Sequence, residues 1–287
     1  MAVNGVITQD KLKDILYQRQ IINDVLIASQ SYGSLMNPAI IKRVAVNGTK
    51  VSLSTMDAVS IATDLREFEA SNVQSPDFGS IDVDLYADEM RIAFSDEALM
   101  NPTIADPMSL AKANAAVGFA YKLDYKIGTA LDQTPQAGTA WDITGASFLD
   151  AVADAVGKLS PYKLTGIACG AQAYGQIMSS VNSGDYKVSG MTVQNGINIL
   201  PGYNVPIVMS TVLDTIDADS IYFVSNEAPG AYLFEGQYKA RVYDDPDTRS
   251  TILQANVWNA VKSNIRQTGS YNKGVVETAI TIPSGST

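Results

Sequence analysis

Arg66-Glu-Phe-Glu-Ala-Ser-Asn-Val-Gln-Ser-Pro-Asp-Phe-Gly-Ser80, Ile81-Asp-Val-Asp-Leu85, Met90-Arg-Ile-Ala-Phe-Ser95 and the run from Asp106-Pro107 to Gln133 follow one another and decide the fold. The first stretch is polar and turn-rich, with too few apolar residues to bury a core of its own. The next two alternate apolar and polar residues, as a half-buried strand does. Ile81, Val83, Leu85 and Ala87 share one face, whereas Met90, Ile92 and Phe94 have the opposite parity. A period of two cannot change parity without an extra residue, so a bulge or tight turn is expected at Asp88-Glu89. The last run opens with an acid before a proline, a good helix start. Leu110, Ala113, Val117, Ala120, Ile127 and Leu131 then recur at helical steps. About 26 residues at roughly 1.5 Å each give a helix about 39 Å long. Arm, strand and long helix are a shape and not a catalytic motif, and such a shape suits contact between copies of the chain.

Upstream, residues 8–30 have helical spacing, with Leu12, Ile15, Leu16, Ile22 and Leu26 on one side, Thr8 as N-cap and an end near Ser31-Tyr-Gly33. Ile40 to Val46 and Lys50 to Leu53 flank Asn47-Gly48, which signals a hairpin. From Ser54 to Ser80 the chain reads as a projecting loop that must lie on something else.

Downstream, residues 134–143 form a Pro/Gly/Thr linker, and Phe148, Val152, Val156 and Leu159 mark a second helix stopped by Ser160-Pro161. A strand at Gly166 to Cys169, a helix from Ala171 to Val181 and a turn-rich region from Asn182 to Tyr203 come next. Strands at Val205 to Ser210, Ser220 to Ser225 and Ala231 to Phe234 complete an α/β unit of about 100 residues, a common domain size. Tyr238 to Tyr243 alternates, Asp244-Asp-Pro-Asp247 turns, and Thr251 to Ile265 reads as one long strand. Its apolar face carries Leu253, Ala255, Val257, Val261 and Ile265; Gln254, Asn256, Trp258, Lys262 and Asn264 take the other. At about 3.3 Å per residue it spans about 50 Å, the width of a compact globule of this length. The expected architecture is elongated and flat.

The 287 residues suffice for one large domain or two small ones. Although 46% of them are apolar, no apolar run reaches membrane-spanning length, so no membrane span is expected. Met-Ala-Val-Asn-Gly at the start lacks a basic region before an apolar core, so no secretory signal is expected. A single cysteine, Cys169, excludes an intramolecular disulfide and fits folding in a reducing cytoplasm. No histidine is present, which removes Ser-His and Cys-His nucleophile pairs and His-based metal sites. A net charge of −10 opposes sequence-independent DNA binding while leaving room for a wall that does not stick to DNA.

Neither GxGxxG nor GxxxxGK[ST] occurs, so nucleotide-binding fingerprints are missing. Gly166-Ile-Ala-Cys-Gly170 could present a nucleophile, but without a histidine to deprotonate it a buried core cysteine is favoured. Asp244, Asp245 and Asp247, or Asp217 with Asp219, could hold calcium; they lack the spacing of a calcium loop, and Asp/Pro turn chemistry is favoured. Glu67, Glu69, Asp82 and Asp84 could be read as paired glycosidase acids, although alternation on an exposed strand accounts for the last two. Asp124 interrupts the apolar stripe of the long helix, which favours packing on a sheet over a coiled coil. No catalytic residue, metal site or cofactor is assigned.

In this order the elements resemble the major capsid proteins of tailed viruses and prophages, with the Hong Kong 97-type fold. The resemblance rests on Glu67-Phe-Glu-Ala-Ser to Phe78, on Ile81 to Ser95-Asp-Glu97, and on the helix to Leu131. Leu200-Pro-Gly-Tyr-Asn-Val-Pro-Ile-Val-Met-Ser210 also resembles the family's "G-x-P-V-V-x-S" strand. It implies an α+β fold with an N-terminal arm (1–40), an extended β loop (41–80), a peripheral domain with a long spine helix (81–133 and 236–270), an α/β axial domain (134–235) and a C-terminal tail (271–287). The implied function is a structural, non-enzymatic subunit that assembles as pentamers and hexamers into an icosahedral shell around double-stranded DNA. Residues 54–80 would lie on a neighbouring subunit, with Arg66, Glu67, Phe68, Glu69 and Phe78 as contacts. Portal and a separate scaffolding protein, or none, are the implied partners, because the chain reaches its arm almost at once. The implied location is the virion capsid, assembled in the host cytoplasm. Some family members cross-link through a lysine in the loop; Ser54 to Ser80 contains none and Lys50 sits at its base, so no covalent chainmail is expected. An encapsulin-like compartment shell is the same-fold alternative, an α/β enzyme using carboxylate or lysine chemistry the remote one, and a tail or adhesin protein is disfavoured by the long helix.

Overall fold

The run opened by Asp106-Pro107 is a single helix, α1 (Pro107–Asp132, 26 residues), in the computed structural model. The structure describes residues 34–56, 78–95, 107–142, 147–182, 192–194, 197–200, 203–263 and 272–281. Ahead of α1 come β1 (Lys42–Ala45), β2 (Lys50–Met56), β3 (Phe78–Asp84) and β4 (Tyr86–Ser95). After it come β5 (Pro135–Ala137), β6 (Trp141–Asp142), α2 (Phe148–Leu159), β7 (Gly166–Cys169), α3 (Ala171–Asn182), β8 (Thr192–Gln194) and β9 (Ile197–Leu200). The rest are β10 (Val205–Met209), α4 (Leu213–Ile216), β11 (Ser220–Val224), β12 (Ala231–Asp245), β13 (Ser250–Ser263) and β14 (Asn272–Thr281).

Two sheets share α1. A four-stranded sheet runs β1-β12-β13-β4, and an eight-stranded one runs β5-β14-β11-β7-β10-β9-β8 with β6 also on β14. Ala111, Ala115, Ala116 and Phe119 of α1 pack on Leu253, Ala255 and Val257 of the small sheet. One turn further on, Leu123, Ile127, Ala130 and Leu131 pack on Ala168, Val208, Tyr222 and Val224 of the large one. The buried face therefore rotates along the helix. Leu110, Ala113 and Val117, which helical spacing puts in the core, are exposed, whereas Ala120, Ile127 and Leu131 are buried.

The far face of the large sheet carries Ile167, Cys169, Phe223 and Val276, covered by Phe148, Val152 and Leu159 of α2 and Ile177 of α3. Residues 166–169 and 220–224 are buried throughout, as a strand between two layers must be. Ser147 caps α2, its hydroxyl accepting from the Leu149 amide while the Asp150 carboxylate accepts from the Ser147 amide.

Several expectations are corrected. Asn47-Gly48 does not close a hairpin: β1 pairs in parallel with β12, while β2 pairs antiparallel with β3, Lys50 opposite Asp84 and Met56 opposite Phe78. The turn instead carries the chain out of one sheet and into a separate ribbon. The parity change is real but falls at Leu85, between β3 and β4, three residues before the expected bulge. Asp88 and Glu89 run straight in the β4–β13 ladder opposite Val257 and Asn256. Tyr86 and Ala87 are exposed, so Ala87 leaves the face of Val83 and Leu85.

Residues read as linker form β5 and β6, which pair with β14, and Trp141 is among the most buried side chains. Residues 272–281, read as part of a tail, are strand β14, hydrogen-bonded to β11 on one side and to β5 and β6 on the other. The two strands expected at 231–234 and 238–243 are one strand, β12, with a register shift between Glu235 and Tyr238. Gly236 occupies that irregularity because a Cβ there would sit 2.8 Å from Leu85 Cδ2 and 3.2 Å from the Trp258 carbonyl.

Candidate functional site

Among the described residues, most of the groups singled out for chemistry have structural partners or are buried. Cys169 is fully buried, and burial, with Asp214 adding to it, pushes its thiol up to about 12. It is a core side chain and not a nucleophile. In the β12–β13 turn, Asp245 accepts from the Asp247 amide at 3.2 Å and Asp244 from the Thr251 hydroxyl at 2.9 Å, so these acids shape the turn. Asp82 and Asp84 are exposed on β3, and Asp84 pairs with Lys50 at 3.3 Å. Asp217 meets two acids distant in sequence: carboxylate oxygens of Asp132, Asp217 and Glu277 lie within 4.8 Å of one another. The Tyr222 hydroxyl donates to Asp132 at 2.9 Å, and the Ser220 hydroxyl lies 2.9 Å from Asp217 and 2.7 Å from Glu277. Burial first, then the two neighbouring acids, raise the Glu277 carboxyl against the Ser220 bond that lowers it.

Two polar nodes fix α1 to the strands around it. Asp124, 4% exposed, accepts the Ser34 amide and hydroxyl at 3.1 and 2.9 Å, the Leu35 amide at 3.1 Å and the Ser210 hydroxyl at 3.1 Å. Burial raises its carboxyl, and these bonds pull the other way. The acid that interrupts the stripe thus ties the segment before β1, the helix and the end of β10 together. Two residues on, Lys126 reaches Asp88 of β4 at 2.5 Å and Asn259 of β13 at 2.6 Å, and Asn259 donates to Asp88 at 2.8 Å. The alternation of β13 gave Asn259 no role, yet it is 2% exposed. Along the same strands Gln254 bridges Arg241 and Glu89 at 2.5 and 2.7 Å.

What remains accessible is surface. Among the described residues β2 and β3 pair only with each other, and at about 3.3 Å per residue their seven paired positions reach about 23 Å. Val46, Val83 and Leu85 hold the base of the ribbon against Phe234 and Ala260. A two-stranded ribbon is marginal by itself in water, so its outer part calls for a partner. Phe78 lies at the far end of this ribbon, opposite Met56; Arg66, Glu67, Phe68 and Glu69 lie outside the described residues. Beside the base, Tyr86, Lys122, Tyr125, Lys126 and Lys262 line a groove of about 380 Å³ between α1 and the end of β13.

A helix spanning two sheets and a ribbon that among the described residues pairs with no other strand belong to a capsid-like fold of mixed helices and sheets, and solved structures share it. The capsid of the cyanophage P-SCSP1u matches with a TM-score of 0.61 at 11% identity, over 84% of this chain and 86% of that one. The capsid of the native GTA particle matches with a TM-score of 0.61 at 16% identity, over 86% and 92%. A virus-like particle from Pyrococcus furiosus matches with a TM-score of 0.58 at 10% identity, over 91% and 99%. No family model matches the sequence, and no curated protein does so.

Proposed function

We propose that this chain is a major capsid protein of a tailed virus, a structural subunit without catalytic activity that assembles into an icosahedral shell around double-stranded DNA. The observation that carries the reading is the fold shared with the cyanophage capsid chain over 84% of one and 86% of the other. In the Hong Kong 97-type scheme, residues 1–40 are the N-terminal arm, 41–80 the extended loop, 81–133 with 236–270 the peripheral domain around α1, and 134–235 the axial domain, to which β14 adds a strand. The extended loop lies on a neighbouring subunit through Arg66, Glu67, Phe68, Glu69 and Phe78. Pentamers and hexamers form in the host cytoplasm with a portal and a separate scaffolding protein.

Purified protein brought through a range of salt and pH should form closed particles in negative stain, and mass measurement should give a multiple of a pentamer. A monomer or small oligomer under every condition would overturn the reading. A compartment shell would share the fold, and nucleic acid content separates the cases: particles from the native source should contain double-stranded DNA and not a protein cargo.

A further inference from the structure

Leu110, Val117, Tyr121 and Tyr125 of α1 are 47, 47, 51 and 42% exposed. Their spacing places them in one arc of the helix at about 100° per residue, together with exposed Asn114 and Gly118, in a stripe about 22 Å long. Asn114 is the polar member of the arc; the other side chains are two aliphatic and two aromatic. A helix face so rich in large apolar groups needs a cover. Gly118 lies midway along its length, at one edge of the arc. A Cβ built there meets nothing within 4 Å, so packing within the described fold gives no reason for glycine, although glycine inside a helix is destabilising relative to alanine. A position bare of a side chain, between Val117 and Tyr121, admits the close approach of another backbone.

Ser34 is held through its amide and hydroxyl on Asp124, and Asp124 stands one turn from Tyr121 and two from Val117. The described chain therefore begins at the border of the stripe, with 33 residues ahead of it in the sequence. Leu12, Ile15, Leu16, Ile22 and Leu26 recur there at helical steps, and from Leu12 to Leu26 a helix covers about 21 Å. That is close to the length of the stripe, and such a helix would require a surface for its own apolar face. We propose that residues 8–30 lie along α1 of the same chain, Leu26 toward Tyr125 and Leu12 toward Leu110, with Gly118 admitting close contact. This goes beyond the shell reading and holds or fails for a single chain.

Cysteine pairs in the full chain test it. Cys169 is buried and leaves a quiet background. Mild oxidation of the unassembled Ile22→Cys/Tyr121→Cys variant should close an intrachain disulfide, seen as a faster monomer band without reductant and a linked peptide in mass spectrometry. The mismatched pair Leu26→Cys/Leu110→Cys should stay open. A disulfide-linked dimer instead would mean that a second copy covers the stripe, and no cross-link in the matched pair, or equal cross-linking in both, would equally overturn the proposal. Gly118→Leu gives an independent readout, because it fills open space in α1 and, as a better helix former than glycine, should not lower the melting temperature of the folded body. It should speed tryptic cleavage at Lys11, Lys13 and Arg19 at least tenfold; unchanged cleavage would refute the contact.

Discussion

A carboxylate buried without a cation has to be held by donors, and Asp124 has four of them from two segments distant in sequence. Asp124→Ala leaves two amides and two hydroxyls without this acceptor and should cost about 3 kcal/mol in urea unfolding. Asp124→Asn keeps one acceptor oxygen but turns a donor toward Ser34 and Ser210, and should cost about 1 to 2 kcal/mol. A loss below about 0.5 kcal/mol for the alanine variant would show that the node is not a structural anchor. Acid does not release it. Since burial raises this carboxyl in the folded state, the folded chain takes up the proton more readily than the unfolded chain, and lowering the pH toward the ordinary aspartate range favours folding at this site. The same direction holds for Glu277, raised by burial and by its acidic neighbours. Its charged form weakens the fold as pH rises through the folded value, so Glu277→Gln should melt higher than the parent at pH 8, and the gap should close in acid. An equal gap at both pH values would rule out ionisation as the cause. The sequence announced Asp124 as an interruption but not as an anchor, because its donors lie about ninety residues away in both directions. Asn259 looked like any polar residue in a strand for the same reason.

At the scale of elements, the start of α1 and the end of α2 were legible because local chemistry sets them: Asp106-Pro107 at the one and the proline after Ser160 at the other; the capping box at Ser147 emerged only in the structure. The buried face of α1 was not legible, since one helix serves two sheets that meet it from different sides. Strand β14 was hidden for a different reason. Val275, Val276 and Ile280 are the apolar part of a ten-residue strand that also holds Asn272, Lys273, Glu277 and Thr278, so neither alternation nor a continuous apolar run marks it. Its place between β11 and the β5 and β6 pair makes it part of the framework. Stopping the chain after residue 271 should therefore abolish soluble protein, whereas stopping after Thr281 should not; soluble, folded protein from the shorter chain would contradict the assigned position of β14. The register shift in β12 makes a finer claim. Gly236→Ala puts a methyl group against Leu85 and the Trp258 backbone at the root of the ribbon, and should cost about 1 to 3 kcal/mol. Hydrogen exchange should quicken first in β2 and β3, because Leu85 is one of the three residues that hold their base.

For the whole molecule, the proposed shell requires many copies of a chain with a charge of −10 to approach one another. Exposed like charges repel over a Debye length, which falls from about 30 Å at 0.01 M salt to about 8 Å at 0.15 M. Assembly should accordingly be slow in dilute buffer and accelerate with added salt, followed by light scattering; a rate that falls with salt would mean that attraction between opposite patches governs the encounter. The contacts made once copies meet are proposed to run through the extended loop, with Arg66, Glu67, Phe68, Glu69 and Phe78 on the neighbouring subunit. No lysine occurs from Ser54 to Ser80, and Lys50 sits at the base of the ribbon, in an exposed pair with Asp84. The stretch from Ser54 to Ser80 has no amine nucleophile with which to form an isopeptide bond to a carboxamide or carboxylate on its neighbour. Assembled particles boiled in detergent should run as monomer, and a ladder of linked subunits would show that another lysine takes the role.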